Sequence, residues 1–214
     1  MLEVSGTSRS GNGGGGGSGN APLCREMVVQ QAGGVSLLIF GHLAAHQQEE
    51  YVDVVNADVP GKVILRIYLS ESGKDSAVLL ETAQRLPVAL LDTGNAAGAK
   101  DKPLEGSRHV LILLPTAFLQ SGADNPQAQY AIARVQSNTV VVARPKGQVL
   151  LLVHTIPGQS IMSVADANGS LVASMKPSRD RVGSHGAALV LHVAPAADAA
   201  LVLAAIVCAR KLSS

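Results

Sequence analysis

The sequence predicts a single, mostly β domain that closes its sheet around one buried C-terminal helix. Three observations predict this fold class. Short β-branched and aliphatic runs recur between turn-forming residues along most of the chain, which is typical of an antiparallel sheet. One C-terminal stretch is apolar on every face, as expected of a helix that is buried all round. The 214 residues are also enough for one hydrophobic core.

The chain is predicted to begin with a disordered tail, residues 1–21, followed by one domain, residues 22–214. The tail contains a run of glycines, Gly13 to Gly17, with scattered Ser and Asn. Such a composition buries too little apolar surface to offset the entropy of ordering it. The start shows neither the basic nor the apolar region of a signal peptide, so we expect a cytoplasmic protein.

Several apolar runs between the tail and the last helix are predicted to be strands. They are Val35 to Phe40, Tyr51 to Val55, Val63 to Leu69, Pro87 to Leu91, His109 to Leu114, Tyr130 to Gln136, Thr139 to Arg144, Val149 to His154, Ile161 to Ala165, Leu171 to Lys176 and Ala187 to Val193. A weaker strand near Met27 or Ala77 brings the number to about a dozen. This spacing favours an antiparallel meander that is closed or doubled over to remove its edges.

Turn sequences support the predicted hairpins. The segments Arg144 to Gly147 and Asp166 to Gly169 each place a glycine where a positive φ is expected at the end of a tight turn. The segment Val55 to Gly61 repeats the order of strand, acidic turn, glycine and returning strand. The hairpins at Asp166 to Gly169 and at Val55 to Gly61 therefore predict a weak internal repeat.

The segment Pro195 to Lys211 is predicted to be the helix. Pro195 stands at a first-turn position, Asp198 lies near the positive end of the helix dipole, and Arg210 and Lys211 lie at its negative end. About 14 residues rise roughly 21 Å, short of the roughly 30 Å of a hydrocarbon core, so a closed sheet is expected to surround the helix. The side chains expected to fill the interior are Ala199, Leu201, Val202, Leu203, Ile206, Val207 and Cys208.

Two stretches near the C-terminal end carry a resemblance to a known fold. The chain reads SVADANGSLVASMK from Ser163 to Lys176 and HVAPAADAALVLAAIVCARKL from His192 to Leu212. A final strand that leads into a hydrophobic helix in this way resembles the end of the LURP-one-related domain. The resemblance implies a tubby-like fold, shared with the tubby C-terminal domain and the phospholipid scramblases, of about twelve strands around that helix. The Cys cluster and the calcium-associated acidic stretch of scramblases have no counterpart here.

Charge is unevenly distributed along the chain. Ala21 to Glu105 contains seven Lys or Arg against eleven Asp or Glu, whereas Tyr130 to Ser214 contains eight against three. The C-terminal half is therefore the predicted side for an anionic partner. The residues predicted to meet at one end of the meander and bind lipid phosphates are Arg134, Arg144, Lys146, Lys176, Arg179 and Arg181. The alternative is a solvated rim that keeps an apolar-rich domain soluble.

No catalytic residue, metal ligand or cofactor is predicted. Ser184 and His185 stand between glycines in a polar segment, which is more typical of a flexible connection than of a nucleophile beside a base. His154 and His192 lie in apolar runs and are predicted to be hydrogen-bonded strand histidines. The sequence has neither a basic helix nor stacking aromatics, so no nucleic-acid partner is expected.

The sequence thus predicts a non-enzymatic module that binds anionic phospholipid, with phosphoinositide as one candidate headgroup, peripherally at a membrane. Two alternatives stay open. One is a scramblase-like membrane protein whose apolar helix inserts in the bilayer, and the other is a scaffold for protein partners. An exposed helix or a membrane-crossing one would remove the reason for predicting a closed sheet.

Overall fold

The computed structural model describes residues 22–40, 51–59, 61–69, 78–84, 86–92, 110–115, 130–136, 138–144, 147–178 and 188–213. Within these ranges the chain is mostly β, with one C-terminal α-helix, as the sequence predicts. The predicted tail, residues 1–21, lies outside the described residues.

Strands occupy most of the described chain. They are β1 (Val35–Phe40), β2 (Tyr51–Asn56), β3 (Val63–Leu69), β4 (Val78–Thr82), β5 (Pro87–Asp92), β6 (Val110–Pro115), β7 (Tyr130–Gln136), β8 (Thr139–Ala143), β9 (Val149–Thr155), β10 (Met162–Asp166), β11 (Leu171–Pro177) and β12 (Ala188–Val193). Each predicted run overlaps one of them, and β4 coincides with the weaker candidate near Ala77. The other weak candidate is instead a 3-10 helix, Arg25–Met27, followed by a single bridge between Val28 and Asp198.

The strands pair in the order in which they follow one another along the chain. Every pairing is antiparallel, and β1 pairs with β12 as well as with β2, so the order of hydrogen-bonded neighbours returns to its start as a closed barrel. Closure satisfies the backbone groups that an edge strand would leave unpaired.

Alternating strand directions give the barrel two distinct ends. Residues 56–59, 61–62, 144, 147–148 and 166–170 lie at the end where β12 leads into the helix, which we call the helix-start end. Residue 138 and the turn at 156–161 lie at the other, which we call the opposite end. Strand alternation therefore decides which connections can share a surface.

The C-terminal helix, α1 (Ala199–Ser213), is enclosed by the strands. Every residue from Ala199 to Ala209 is buried, and the helix contacts β5, β7, β8 and β9. The side chains predicted to fill the interior are among these buried residues. Burial of each large aliphatic side chain contributes about 1.5–3 kcal/mol as an upper estimate.

The helix begins later than the sequence predicts. Pro195 does not stand in the first turn but in a loop before the helix, where Ala196 adopts a φ of 62°. The carboxylate of Asp198 caps α1 because its Oδ1 accepts from the backbone N–H groups of Ala200 (3.0 Å) and Leu201 (3.1 Å). The prediction placed Asp198 correctly near the positive end of the dipole, but the loop conformation moves Pro195 out of the helix.

The two hairpins predicted to be repeats share their turn geometry. Asn56 and Asp166 each use Oδ1 to accept a hydrogen bond, at 2.8 Å, from the backbone N–H two residues further on. Gly61 and Gly169 both have a φ of 83°. A register shift also precedes each turn, at Val54/Val55 in one hairpin and at Val164/Ala165 in the other. The weak repeat in the sequence is thus a repeat of bulge and turn.

Candidate binding surface

The predicted lipid-binding residues do not all lie together. Arg144 is half-buried at the helix-start end, whereas Lys176 is exposed near the end of β11, at the opposite end. Arg134 lies in β7, two residues before that strand ends, also at the opposite end. The other three predicted residues, Lys146, Arg179 and Arg181, lie outside the described residues.

This separation follows from the topology. Arg144 follows β8 and Lys176 stands near the end of β11, and strands of even and odd number end at opposite ends of an up-and-down barrel. Arg134 and Lys176 share an end, but β7 and β11 are four pairings apart, or roughly 19 Å at the usual strand spacing. Arg144 and Lys176 therefore cannot form a single cluster, because β8 and β11 end at opposite ends of the barrel.

Lys176 instead has two exposed isoleucines beside it. Met162 pairs with both Met175 and Thr155, so the next position outwards places Ile161 between Lys176 and Ile156. Ile156 donates its N–H to the carbonyl oxygen of Ile161 (3.3 Å), which closes the β9–β10 turn.

The exposure of these two side chains is unusual for isoleucine. Ile156 is 45% exposed and Ile161 is 38% exposed. Met162 and Met175, one position further into the sheet, are buried. Side chains alternate between the faces of a strand, so Ile156, Ile161 and Lys176 lie side by side on the outer face. We call these three residues the apolar-basic edge.

An aromatic and charged cluster also lies on the outer surface of β2 and β3. Arg66 pairs with Asp53 through an Nε–Oδ1 contact of 2.9 Å and lies 5.2 Å from the ring centre of Tyr51. The rings of Tyr51 and Tyr68 are 5.8 Å apart. The hydrogen bond to Asp53 raises the pKa of Arg66. Because Arg66 is already paired with Asp53, it attracts an anion from outside the protein less strongly than an unpaired cation does.

Among the residues that the structure describes, carboxylates are more prominent at the helix-start end. Glu26 and Asp58 are exposed there, and Glu81 and Asp166 are half-buried. A cavity of about 360 Å³ opens beside the helix start, and its lining includes Asp166, Leu171 and Asp198. Lys62 and Arg144 lie at the same end, so the described charges there are mixed in sign.

Asp198 joins the helix start to the first described residues. Its Oδ2 accepts from the backbone N–H groups of Leu23 and Cys24, while its Oδ1 caps the helix. Burial raises the pKa of the Asp198 carboxyl, and these four hydrogen bonds oppose the rise. Burial likewise raises the pKa of the neighbouring Cys24 thiol. The sequence identified Asp198 as a dipole partner but gave no sign of the contact with residues 23 and 24.

No helix among the described residues is long and apolar enough to cross a membrane. Those residues also contain no group of three or more His, Cys, Asp or Glu side chains placed to hold a metal ion. His154 and His192 do hydrogen-bond as predicted, through Nδ1 to the hydroxyl groups of Thr139 and Ser36 respectively, each at 3.3 Å.

Comparisons with known proteins bear on the fold. No family model and no curated protein matches the sequence. The X-ray structure of the Arabidopsis thaliana protein AT5G01750 is similar, with a TM-score of 0.60 and 12% sequence identity over 92% of this chain and 100% of that chain. At this identity the similarity concerns the fold alone.

Proposed function

We propose that this chain is a non-enzymatic, tubby-like binding module that attaches peripherally to anionic phospholipid membranes in the cytoplasm. The observation that carries the proposal is the apolar-basic edge, in which Lys176 stands beside the exposed Ile156 and Ile161. The resemblance of the C-terminal segment to LURP-one-related and tubby domains supports the same class.

The chemistry of the edge suits a bilayer surface. An exposed lysine near anionic headgroups contributes about 1 kcal/mol. Exposed aliphatic side chains beside it gain further free energy by leaving water for the acyl boundary. A phosphoinositide is one candidate headgroup, because its additional phosphates offer more charge to the same cation.

Vesicle flotation tests the proposal with matched variants at the two ends of the barrel. Lys176→Glu reverses the charge of the edge, and Ile156→Ser with Ile161→Ser removes its apolar part. Lys62→Glu and Leu171→Ser are the controls, because Lys62 is exposed and Leu171 is 63% exposed, both at the helix-start end.

We expect Lys176→Glu to weaken binding to phosphatidylcholine vesicles containing phosphatidylserine or phosphoinositide by about 30-fold, since two unit charges change. The double variant Ile156→Ser with Ile161→Ser should weaken vesicle binding by a similar factor, and the two controls should leave vesicle binding unchanged. Equal flotation with pure phosphatidylcholine, or equal loss in the controls, would contradict the proposal. Binding that is indifferent to headgroup and edge would instead favour the protein-scaffold alternative.

The scramblase-like alternative is tested in the same samples through Cys208. This thiol is 1% exposed on the enclosed helix. It should stay unreactive towards a thiol reagent while the protein is bound to vesicles, because peripheral attachment leaves α1 inside the sheet. Labelling of Cys208 on vesicle binding, without unfolding, would indicate that the helix leaves the sheet and inserts.

A further inference from the structure

The outer surface of the barrel carries a continuous row of hydroxyl and imidazole side chains. The pairings run Thr139 to His154, His154 to Ser163, Ser163 to Ser174, Ser174 to His192 and His192 to Ser36. The row therefore crosses β8, β9, β10, β11, β12 and β1 at one height. We call it the hydroxyl–imidazole row.

The row lies on the outside because its neighbours along each strand point inwards. Val153, Val164, Ala173 and Leu191 are buried, whereas His154 and His192 are exposed. Ser163 and Ser174 are partly exposed between the two histidines. Directly opposed side chains on neighbouring strands have Cβ atoms about 5 Å apart, which is close enough for one small ligand to touch both serines.

Each histidine is fixed by a hydroxyl on the side away from the serines. Nδ1 of His154 lies 3.3 Å from the hydroxyl of Thr139, and Nδ1 of His192 lies 3.3 Å from the hydroxyl of Ser36. A hydroxyl can accept as well as donate, so both contacts survive protonation of the imidazoles. The row is symmetric about its centre. Thr139, His154 and Ser163 follow one another on one side, as Ser36, His192 and Ser174 do on the other.

His192 is additionally held by close approach of the backbone. Gly34 has a φ of 80°, and a Cβ added there would collide with the carbonyl oxygen of Val193 and lie 3.1 Å from Cε1 of His192. The glycine thus leaves room for the imidazole to lie against the start of β1. The orientation of the ring is set by Gly34 on one side and by Ser36 on the other.

Carboxylates are absent from the row and from the outward positions beside it among the described residues. The charged residues on its six strands are Lys176, two residues from Ser174 on the same face, and Asp166, at the helix-start end of β10. Arg144 follows β8 at that same end, and Arg134 on neighbouring β7 pairs with Val140, one position away from the row. Oδ1 of Asp166 is engaged by the N–H groups of Asn168 and Ser170, each at 2.8 Å.

We propose that Ser163 and Ser174, flanked by His154 and His192, form a binding site for a tetrahedral oxyanion of the phosphate or sulfate class. The two hydroxyls donate hydrogen bonds to the anion, and the histidines supply positive charge on either side once protonated. The site adjoins Lys176 but does not depend on membrane attachment.

Titration of the full chain with sulfate tests this site, because sulfate is a stable dianion. Nuclear magnetic resonance would follow the amides of Ser163 and Ser174 and the imidazoles of His154 and His192 at constant ionic strength. We expect saturable shifts at these four residues, with one Kd shared by all of them.

Variants assign the contributions. The pair Ser163→Ala and Ser174→Ala should weaken sulfate binding about tenfold or more, since two hydrogen bonds to a charged group are lost. The pair His154→Gln and His192→Gln should weaken it as well, because glutamine cannot carry the positive charge of a protonated imidazole. The exposed Ser170, in the β10–β11 turn, is the control, and Ser170→Ala should bind as the parent does.

Two further arms identify the natural source of the anion. Inorganic phosphate that displaces sulfate supports a soluble phosphate ligand. Displacement only by vesicles that contain a phosphomonoester lipid supports a headgroup. Unchanged sulfate binding in the Ser163→Ala and Ser174→Ala double variant, or the absence of saturable shifts at the four residues, overturns the site. The sulfate arm contains no lipid, so its failure is distinct from loss of vesicle flotation in Lys176→Glu.

Discussion

The inner and outer faces of the same strands carry different kinds of residue. Inside β9 to β12 the side chains of Val153, Val164, Ala173 and Leu191 are buried and aliphatic. Outside, one position away on each strand, stand His154, Ser163, Ser174 and His192. The inner face is specified by volume and apolarity, whereas the outer face is specified by which residues the register aligns.

The contrast between the faces limits where a ligand can bind in such a barrel. The helix fills the interior, so the lumen holds packed aliphatic side chains. Candidate ligand contacts are therefore found on the outer wall and at the opposite end. Substitutions should divide in the same way, with losses of stability inside and losses of binding outside.

The largest expected effect is a loss of packing inside the barrel. Leu203 is fully buried on α1, and Leu203→Ala should lower the free energy of unfolding by about 2–5 kcal/mol, since the cavity cannot close around a shorter side chain. The outer counterpart Leu171→Ala should change it by less than about 0.5 kcal/mol. Chemical denaturation measures both, and similar losses in the two variants would contradict the contrast between the faces.

An intermediate effect is expected at Asp198, where the interior meets the outside. Asp198→Ala should lower the free energy of unfolding by about 2–3 kcal/mol, because the helix loses its cap and the N–H groups of Leu23 and Cys24 lose their acceptor. Thermal denaturation would measure the loss. The exposed Asp58, in the β2–β3 turn, provides the control, and Asp58→Ala should be nearly neutral. If neither variant changed the free energy of unfolding, the hydrogen bonds of Asp198 would not be stabilising.

The smallest expected effect is a dependence of stability on pH. Burial raises the pKa of Asp198 in the folded state, so the native protein binds more protons than the unfolded chain in the window above about pH 3.9, the ordinary aspartate value. The contribution of Asp198 to the free energy of unfolding therefore falls as the pH rises through that window and levels off above the raised pKa.

Asp198→Asn removes this titration while retaining one accepting oxygen. The stability advantage of the parent over Asp198→Asn should accordingly shrink as the pH rises from about 4, and urea denaturation at several pH values measures it. An advantage that grows with pH instead would mean that hydrogen bonding outweighs burial at this carboxyl.

Much of this architecture was predictable because it depends on local pattern. The strand runs, the positive-φ glycines at Gly147 and Gly169, and a helix without a polar stripe each have a signature within a few residues. The apolar-basic edge was harder to recognise, because nothing in the sequence around Ile156 and Ile161 marks their side chains as exposed. Only their position beyond the buried Met162 and Met175 distinguishes them.

Residue periodicity and an apolar segment that must avoid water were enough to predict the β-rich class, the strand positions and the buried helix. Tertiary structure alone decided that Arg144 and Lys176 lie at opposite ends, that Asp198 binds Leu23 and Cys24, and that two histidines and two serines form one row. These contacts join residues distant in the chain, and strand order and register, which set them, are global properties of the closed sheet.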